Sequence, residues 1–324
     1  MFMKFRTEIE DKPLKATIDY STNIFAIGSC FANNIASRLA QAKFNVVTSP
    51  TGILFNPASI ARTLTAFATN AAVDPTRIVA RGEEWVSLDC HSDIAGSTKE
   101  EVINLWQSAI SDGHNALQSA SCVIITLGTA WVYEHKATGK IVANCHKIPQ
   151  RDFTRRRLSV AEICELFRPL MEGILKGKQV IFTVSPVRHV SDGLAENSVS
   201  KATLRLAVDQ LCSEYSNADY FPAYEIVTDD LRDYRFYADD LIHPSVAAIE
   251  YIWEKFINSA LNDSTKEQLE RVEKIVAAAA HRPFNPSSEE YKKFCSRYLN
   301  EAKTLSSIDF SVECAIFERY SEKS

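Results

Sequence analysis

The sequence predicts an α/β fold: a three-layer sandwich around a central parallel sheet, with a helical extension at its carboxyl end. Three observations carry this. Apolar runs of strand length stand at Ile24–Ile27, Cys122–Leu127 and Gln179–Val184. Segments with apolar residues at three- and four-residue spacing lie between them, so strands alternate with helices, the pattern of a parallel sheet covered on both faces. From Ser264 the alternation stops and only helical patterns remain.

The first twenty residues are polar, contain Pro13 and read as an extended lead-in to the first strand. Gly28-Ser29-Cys30 ends that strand. Phe31, Ile35 and Leu39, with Ala32, Ala36 and Ala40 one step round, predict a helix lying close on the sheet. Phe44–Val47 reads as a second short strand, Thr48–Pro57 as a loop, Ala58–Thr69 as a helix and Trp85–Leu88 as a strand. Ser97-Thr98-Lys99-Glu100 has capping-box spacing and opens a helix ending near Ala120. Beyond the strand at Cys122–Leu127, Trp131–Tyr133 and Ile141–Ala143 suit a hairpin around Thr138-Gly139. Arg151 and Arg155–Arg157 form a compact basic cluster, read as a solvated face in preference to an anion site.

Helices over Ser159–Leu175 and Ser198–Ser216 flank the strand at Gln179–Val184, and Tyr220–Val227 reads as one more strand. Val246–Leu261 is helical after the stop at Pro244. In the extension, Ser264-Thr265-Lys266-Glu267 and Ser287-Ser288-Glu289-Glu290 have capping-box spacing on either side of a break at His281–Pro286. Residues 1–262 are thus expected to form the α/β domain, and 263–324 the helical extension.

The chain has 324 residues, 46% of them hydrophobic and 24% charged, which suits a soluble globular protein with one large core. A net charge of −5 argues against nucleic acid as the main partner, because phosphate neutralisation calls for a basic face. No apolar run reaches the length of a membrane span, and the amino terminus lacks the apolar core of a signal peptide, so no membrane partner and a cytoplasmic location are expected. The eight cysteines are scattered without a Cys-x-x-Cys pair. Neither a metal nor any other cofactor is signalled, and a Cys145/His146/His189 metal site has no support in ligand spacing. Oligomeric state is not legible.

Two stretches carry chemistry. A residue in the Gly28-Ser29-Cys30 turn stands at the carboxyl end of a strand and the amino end of a helix, where open α/β sheets bind ligands and free N–H groups stabilise an anion. Ser29 or Cys30 would supply the nucleophile; the alternative is a capping serine beside a buried structural thiol. In Asp240-Leu241-Ile242-His243, a carboxylate three residues ahead of a histidine can hold one ring nitrogen and leave the other as a base, or can simply cap the turn.

Gly28-Ser29-Cys30-Phe31-Ala32 spells GSCFA, and there the chain resembles the bacterial GSCFA family. That family looks distantly related to the SGNH/GDSL hydrolases, whose first block is Gly-Asp-Ser ahead of a helix. The resemblance implies that Cys30 occupies the nucleophile position, with Ser29 where the aspartate stands. It also makes His243 the general base and Asp240 its orienting acid, with Asp239 an adjacent competitor. In the third block Leu127-Gly128-Thr129-Ala130 has Ala130 where an asparagine donor is expected. The Thr129 hydroxyl, the N–H groups of Cys30 and Gly128, or Asn56 would then serve as oxyanion donors. Gly28, His146 and His189 complete the expected surroundings of the substrate. Asn197, Ser200 and Lys201 are expected only at the rim.

These residues imply hydrolysis or transfer of an acyl group, with a small-molecule or glycan acyl ester as substrate. The alternative is a non-catalytic ligand- or glycan-binding protein that keeps the fold. His243 is expected to meet the Gly28-Ser29-Cys30 turn in space, and the helix start is expected to favour a Cys30 thiolate.

Overall fold

The structure, a computed structural model, describes residues 6–321. Its centre is a sheet of five parallel strands. The chain enters through β1 (Ile24–Gly28), turns into α1 (Cys30–Gln41) and returns as β2 (Val46–Thr48), which lies beside β1. Helix α2 (Pro57–Thr69) follows, then a small antiparallel sheet of β3 (Ile78–Arg81), β4 (Glu84–Ser87) and β5 (Ala95–Gly96). After α3 (Lys99–Ser119) the chain comes back as β6 (Cys122–Leu127) on the other side of β1.

A second antiparallel sheet, β7 (Trp131–His135), β8 (Lys140–Val142) and β9 (Phe153–Arg157), is inserted beyond β6. Then come α4 (Val160–Glu172), β10 (Gln179–Val184), α5 (Leu194–Glu214) and β11 (Ala218–Tyr220). The central order is β2-β1-β6-β10-β11. Crossovers leave β1 in opposite directions, so a crevice opens between the carboxyl ends of β1 and β6.

Side-chain alternation along the strands makes the three layers. Phe25 and Ile27, Val123 and Ile125, and Val180 and Phe182 share one core with α2–α5, through residues such as Leu64, Ile110, Phe167 and Leu204. Ile24, Ala26, Ile124 and Ile181 face the other way, against Phe31, Ile35 and Leu39 of α1. Ile252 and Phe256, from the helix α7 (Val246–Ala260), complete that second core; α7 follows the short α6 (Ala223–Glu225). Small Ala32 and Ala36 let α1 approach the strands closely.

The helical extension comprises α8 (Asp263–Ala280), α9 (Glu289–Thr304) and α10 (Ser311–Glu318) around Ile275, Cys295, Leu299 and Phe317. Tyr20, stacked on Phe44 at 4.3 Å, touches both this cluster and the core under α1.

Several local expectations are corrected. Tyr220–Val227 is not one strand: β11 ends at Tyr220, and Ile226–Asp230 forms a π-helical turn. Pro222 cannot donate to a ladder, and the turn buries Ile226 and Val227 beneath the sheet. The cap of α3 is Thr98, with Glu101 reaching back to the Ser97 N–H at 2.8 Å, one residue later than the expected box. The cap of α8 is Asn262, not Ser264, and Ser288 caps α9. Arg155–Arg157 belong to β9: Arg156 pairs with Glu134 and Glu162 at 2.7 and 2.6 Å, and Arg155 lies over the Trp131 ring at 4.1 Å.

Candidate functional site

Gly28 lets β1 end against β6. Its φ is +137°, and a Cβ there would lie 2.1 Å from the Thr126 carbonyl oxygen, so no other residue fits. Ser29 continues the pairing through its N–H to the Thr126 oxygen at 3.1 Å, in extended conformation, and α1 starts at the next residue. Contrary to the expected role, the Ser29 hydroxyl caps nothing; it is buried without a hydrogen-bond partner among the described residues. Cys30 is the first helical residue and is partly exposed. Burial pushes its thiol pKa up, opposed by the N–H groups of Phe31 and Cys30 and by the charge of Lys201. The helix start therefore does not produce the expected net lowering, because desolvation outweighs it.

Behind Cys30 lies a residue that sequence reasoning left at the rim. Lys201, 1% exposed, donates from Nζ to the Gly128 oxygen at 2.7 Å and the Ser185 oxygen at 2.6 Å. Cys30, Gly128 and Ser185 follow the ends of β1, β6 and β10, which are neighbours in the sheet, so all three stand at its carboxyl edge. Burial pushes the Lys201 pKa down to about 7, and Cys30 acts in the opposite sense. The neighbouring Ser200 Oγ accepts the Ala130 N–H at 2.8 Å and lies 3.1 Å from Thr129 Oγ1. Helix α5 thus ties down the whole turn after β6. The signal was legible: Lys201 shares the spacing of Leu204, Val208 and Leu211, the buried face of its helix.

The expected oxyanion donors are differently employed. The N–H groups of Gly128 and Thr129 both donate to the Phe55 oxygen, at 2.8 and 3.0 Å, and the Thr129 hydroxyl accepts the Trp131 N–H at 3.2 Å. Asn56 caps α2, accepting the Ser59 N–H at 2.8 Å, while its amide reaches the Val142 oxygen at 3.4 Å. His146 is buried with Nε2 2.7 Å from the Ser87 oxygen, where it braces the loop after β4; desolvation there lowers its pKa. The backbone donors left at the turn are the N–H groups at the start of α1, at Cys30 and Phe31.

Asn56, Thr129 and His189 instead line a cavity of about 440 Å³, together with Phe55, Trp131 and Tyr133. The His189 and Phe55 rings meet edge to face at 5.7 Å. A cavity of about 540 Å³ lies apart from this site, between the lead-in near Pro13 and the β11 end.

The other expected element is assembled. Asp240 Oδ2 stands 2.6 Å from His243 Nδ1, and Oδ1 accepts the N–H groups of Ile242 and His243 at 2.9 and 3.0 Å. Leu241 takes φ +57° to close the turn. The His243 bond, then these N–H bonds, hold the Asp240 carboxyl down at about 2. The loop is pinned to the segment after β10, where the Arg188 N–H donates to the Ile242 oxygen at 3.2 Å and the guanidinium covers the Tyr237 ring at 3.9 Å. It therefore sits on the same edge of the sheet as Cys30. No hydrogen bond joins His243 to Cys30 or Ser29 among the described residues.

A model of the GSCFA family matches residues 23–256, which include the turn, Lys201 and the Asp240–His243 pair. A model of the C-terminal domain of GSCFA domain proteins matches residues 272–322. No curated protein and no solved structure matches the chain. Among the described residues, no helix is long and apolar enough to cross a membrane, and no group of three or more histidine, cysteine or acidic side chains could hold a metal ion.

Proposed function

The chain belongs to the GSCFA family, and from that premise we propose that it hydrolyses or transfers acyl esters through Cys30, with His243 as general base and Asp240 orienting it. The observation that carries this reading is the 2.6 Å Asp240–His243 contact on the strand edge where Cys30 begins its helix. With Nδ1 engaged, His243 has Nε2 available for proton transfer. Cys30 Sγ adds to the acyl carbonyl carbon while its proton leaves, and the N–H groups at the start of α1 receive the oxyanion. The ester C–O bond then breaks, the departing alcohol oxygen gains a proton, and an acyl-thioester remains. Water or an acceptor hydroxyl adds to the thioester carbonyl, giving its proton to His243; the C–S bond then breaks and that proton returns to Cys30 Sγ. Ser29 is the second candidate nucleophile, disfavoured by its burial.

The resemblance of the Gly28-Ser29-Cys30 turn and the Asp240–His243 pair to the blocks of SGNH/GDSL hydrolases supports the reaction class. The aromatic walls of the 440 Å³ cavity, Phe55, Trp131 and Tyr133, suit the faces of a sugar ring, so a carbohydrate-linked acyl group is the proposed substrate. Eight free thiols suit a reducing compartment, and we place the reaction in the cytoplasm. The test is turnover of p-nitrophenyl acetate and of acetylated oligosaccharides by the intact chain and by Cys30→Ala and His243→Gln. Loss of turnover in both variants supports the reading; full activity of Cys30→Ala and Ser29→Ala ends it.

One observation favours a second reading, a non-catalytic glycan-binding protein: the Gly128 and Thr129 N–H groups are spent on the Phe55 oxygen. Oligosaccharide binding with no turnover in the intact chain would establish it.

A further inference from the structure

We propose that Lys201 and Cys30 form a thiol–amine dyad, in which Lys201 Nζ takes the proton that Cys30 Sγ gives up as it attacks. The inference rests on the acyl-transfer reading and assigns its first proton, leaving His243 and Asp240 to the acceptor in the second half-reaction.

A lysine ammonium has three N–H donors and no lone pair; the neutral amine has two donors and one lone pair. Two carbonyl oxygens, of Gly128 at 2.7 Å and Ser185 at 2.6 Å, already engage Nζ. In the neutral amine those two bonds consume both hydrogens, and the remaining valence is the lone pair that a base needs. These oxygens lie just past the carboxyl ends of β6 and β10, on the edge of the sheet where Cys30 follows β1.

The charge environment points the same way. Among the described residues no carboxylate pairs with Lys201, although its side chain is buried. The titratable groups facing it are Cys30 from α1 and the Tyr224 phenol from α6, whose ring centroid is 5.9 Å from Nζ. A buried ammonium without a counter-ion is costly, so burial favours the neutral amine near pH 7. Proton transfer from Cys30 supplies the counter-ion at the moment it is needed. The S–H bond breaks and an N–H bond forms while sulfur bonds to the carbonyl carbon. When the ester C–O bond breaks, the departing oxygen takes that proton, and Lys201 is neutral again.

The test follows the two groups separately from turnover. The rate of Cys30 alkylation by iodoacetamide is measured against pH for the intact protein and for Lys201→Met. The dyad predicts that the variant's midpoint rises by about one pH unit or more and its rate at pH 7 falls roughly tenfold. An unchanged profile in folded Lys201→Met overturns the proposal, since a merely structural lysine would alter stability without moving the thiol midpoint. Because Lys201→Met leaves two carbonyls unbonded, a reciprocal measurement decides if it does not fold. The Lys201 titration is followed by NMR of the lysine-labelled chain, with and without Cys30→Ala. A downward shift on removing the thiol supports the dyad, and an unmoved Lys201 midpoint overturns it. If Cys30→Ala and Ser29→Ala both retain full esterase activity, the acyl-transfer reading fails instead, whatever the two titrations show.

Discussion

Asp240 grips His243 from both ends of its carboxylate: Oδ2 meets the ring at Nδ1, and Oδ1 takes the histidine's own backbone N–H. The imidazole is thereby fixed in tautomer and in direction, while Asp239 makes no such bond among the described residues. Asp240→Asn is expected to lower turnover by roughly a hundredfold or more, as loss of the orienting carboxylate does in hydrolytic triads. Asp239→Asn should stay within about twofold, and equal losses from the two substitutions would count against the assignment.

The same contact sets a pH expectation. A carboxyl held at about 2 in the folded chain stays charged through weakly acidic conditions. Its favourable interaction is present above the ordinary carboxylate pKa of about 3.9 and is lost only as pH falls through the lowered value. A decline in activity between about pH 6 and pH 4 is therefore not the titration of Asp240. Asp240→Asn should lower the plateau of the rate profile and still show that acid limb; its disappearance would contradict this.

Ser29 and Cys30 are adjacent yet differently placed, one hydroxyl sealed and unpaired, one thiol reachable. Iodoacetamide at neutral pH should modify Cys30 ahead of the buried Cys90, Cys122, Cys164 and Cys295 and abolish activity. Ser29→Ala should keep most of the activity. Removing an unsatisfied buried hydroxyl also relieves a desolvation cost, so unfolding free energy should be unchanged or higher by about 1 kcal/mol. A dead Ser29→Ala beside an active Cys30→Ala transfers the nucleophile to Ser29.

What could be read from the sequence follows burial. The strands Cys122–Leu127 and Gln179–Val184 agree with β6 and β10 because a strand buried on both faces is apolar throughout. Strand β9 escaped notice because its arginines satisfy themselves at an edge, on Glu134, Glu162 and the Trp131 ring, and look like a solvated charge run. Ile226 and Val227 looked like strand because a short apolar run does not reveal its period. At the site, the turn and the Asp-x-x-His pair are local and were legible. For Lys201 the helical spacing marks the burial, but its partners are backbone carbonyls just past two other strands, which leave no trace in side-chain identities. The same holds for the Phe55 oxygen, which occupies the Gly128 N–H.

Gly28 is the backbone condition for the site. Gly28→Ala would force a methyl group into the Thr126 carbonyl at a φ that side chains avoid. The expected cost is more than about 3 kcal/mol in denaturant unfolding, with the Cys30 position disturbed in whatever folds. Gly82 offers the control: its φ is +63° but a Cβ there meets nothing within 4 Å, so Gly82→Ala should cost only about 1 kcal/mol. Similar losses at both positions would show that the clash with Thr126 is not the decisive term.

One of the contacts that hold the helical extension to the α/β region is ionic. Lys43, at the end of the turn after α1, lies 2.7 Å from Glu313 of α10, whose side chain is 9% exposed. The same ammonium stands 5.9 Å from the Phe310 ring centroid. Because Lys43 is itself partly exposed, Glu313→Ala should cost less than a fully buried pair does, about 1–3 kcal/mol. The loss should be local, since Ile275, Cys295 and Phe317 form a cluster separate from the two that sandwich the sheet. Amide hydrogen exchange should therefore quicken across α8–α10 while β1, β6 and β10 keep their protection and Cys30 its alkylation rate. Uniform loss of protection over the whole chain would mean instead that the extension and the sheet unfold as one unit, and that this contact is part of a shared core.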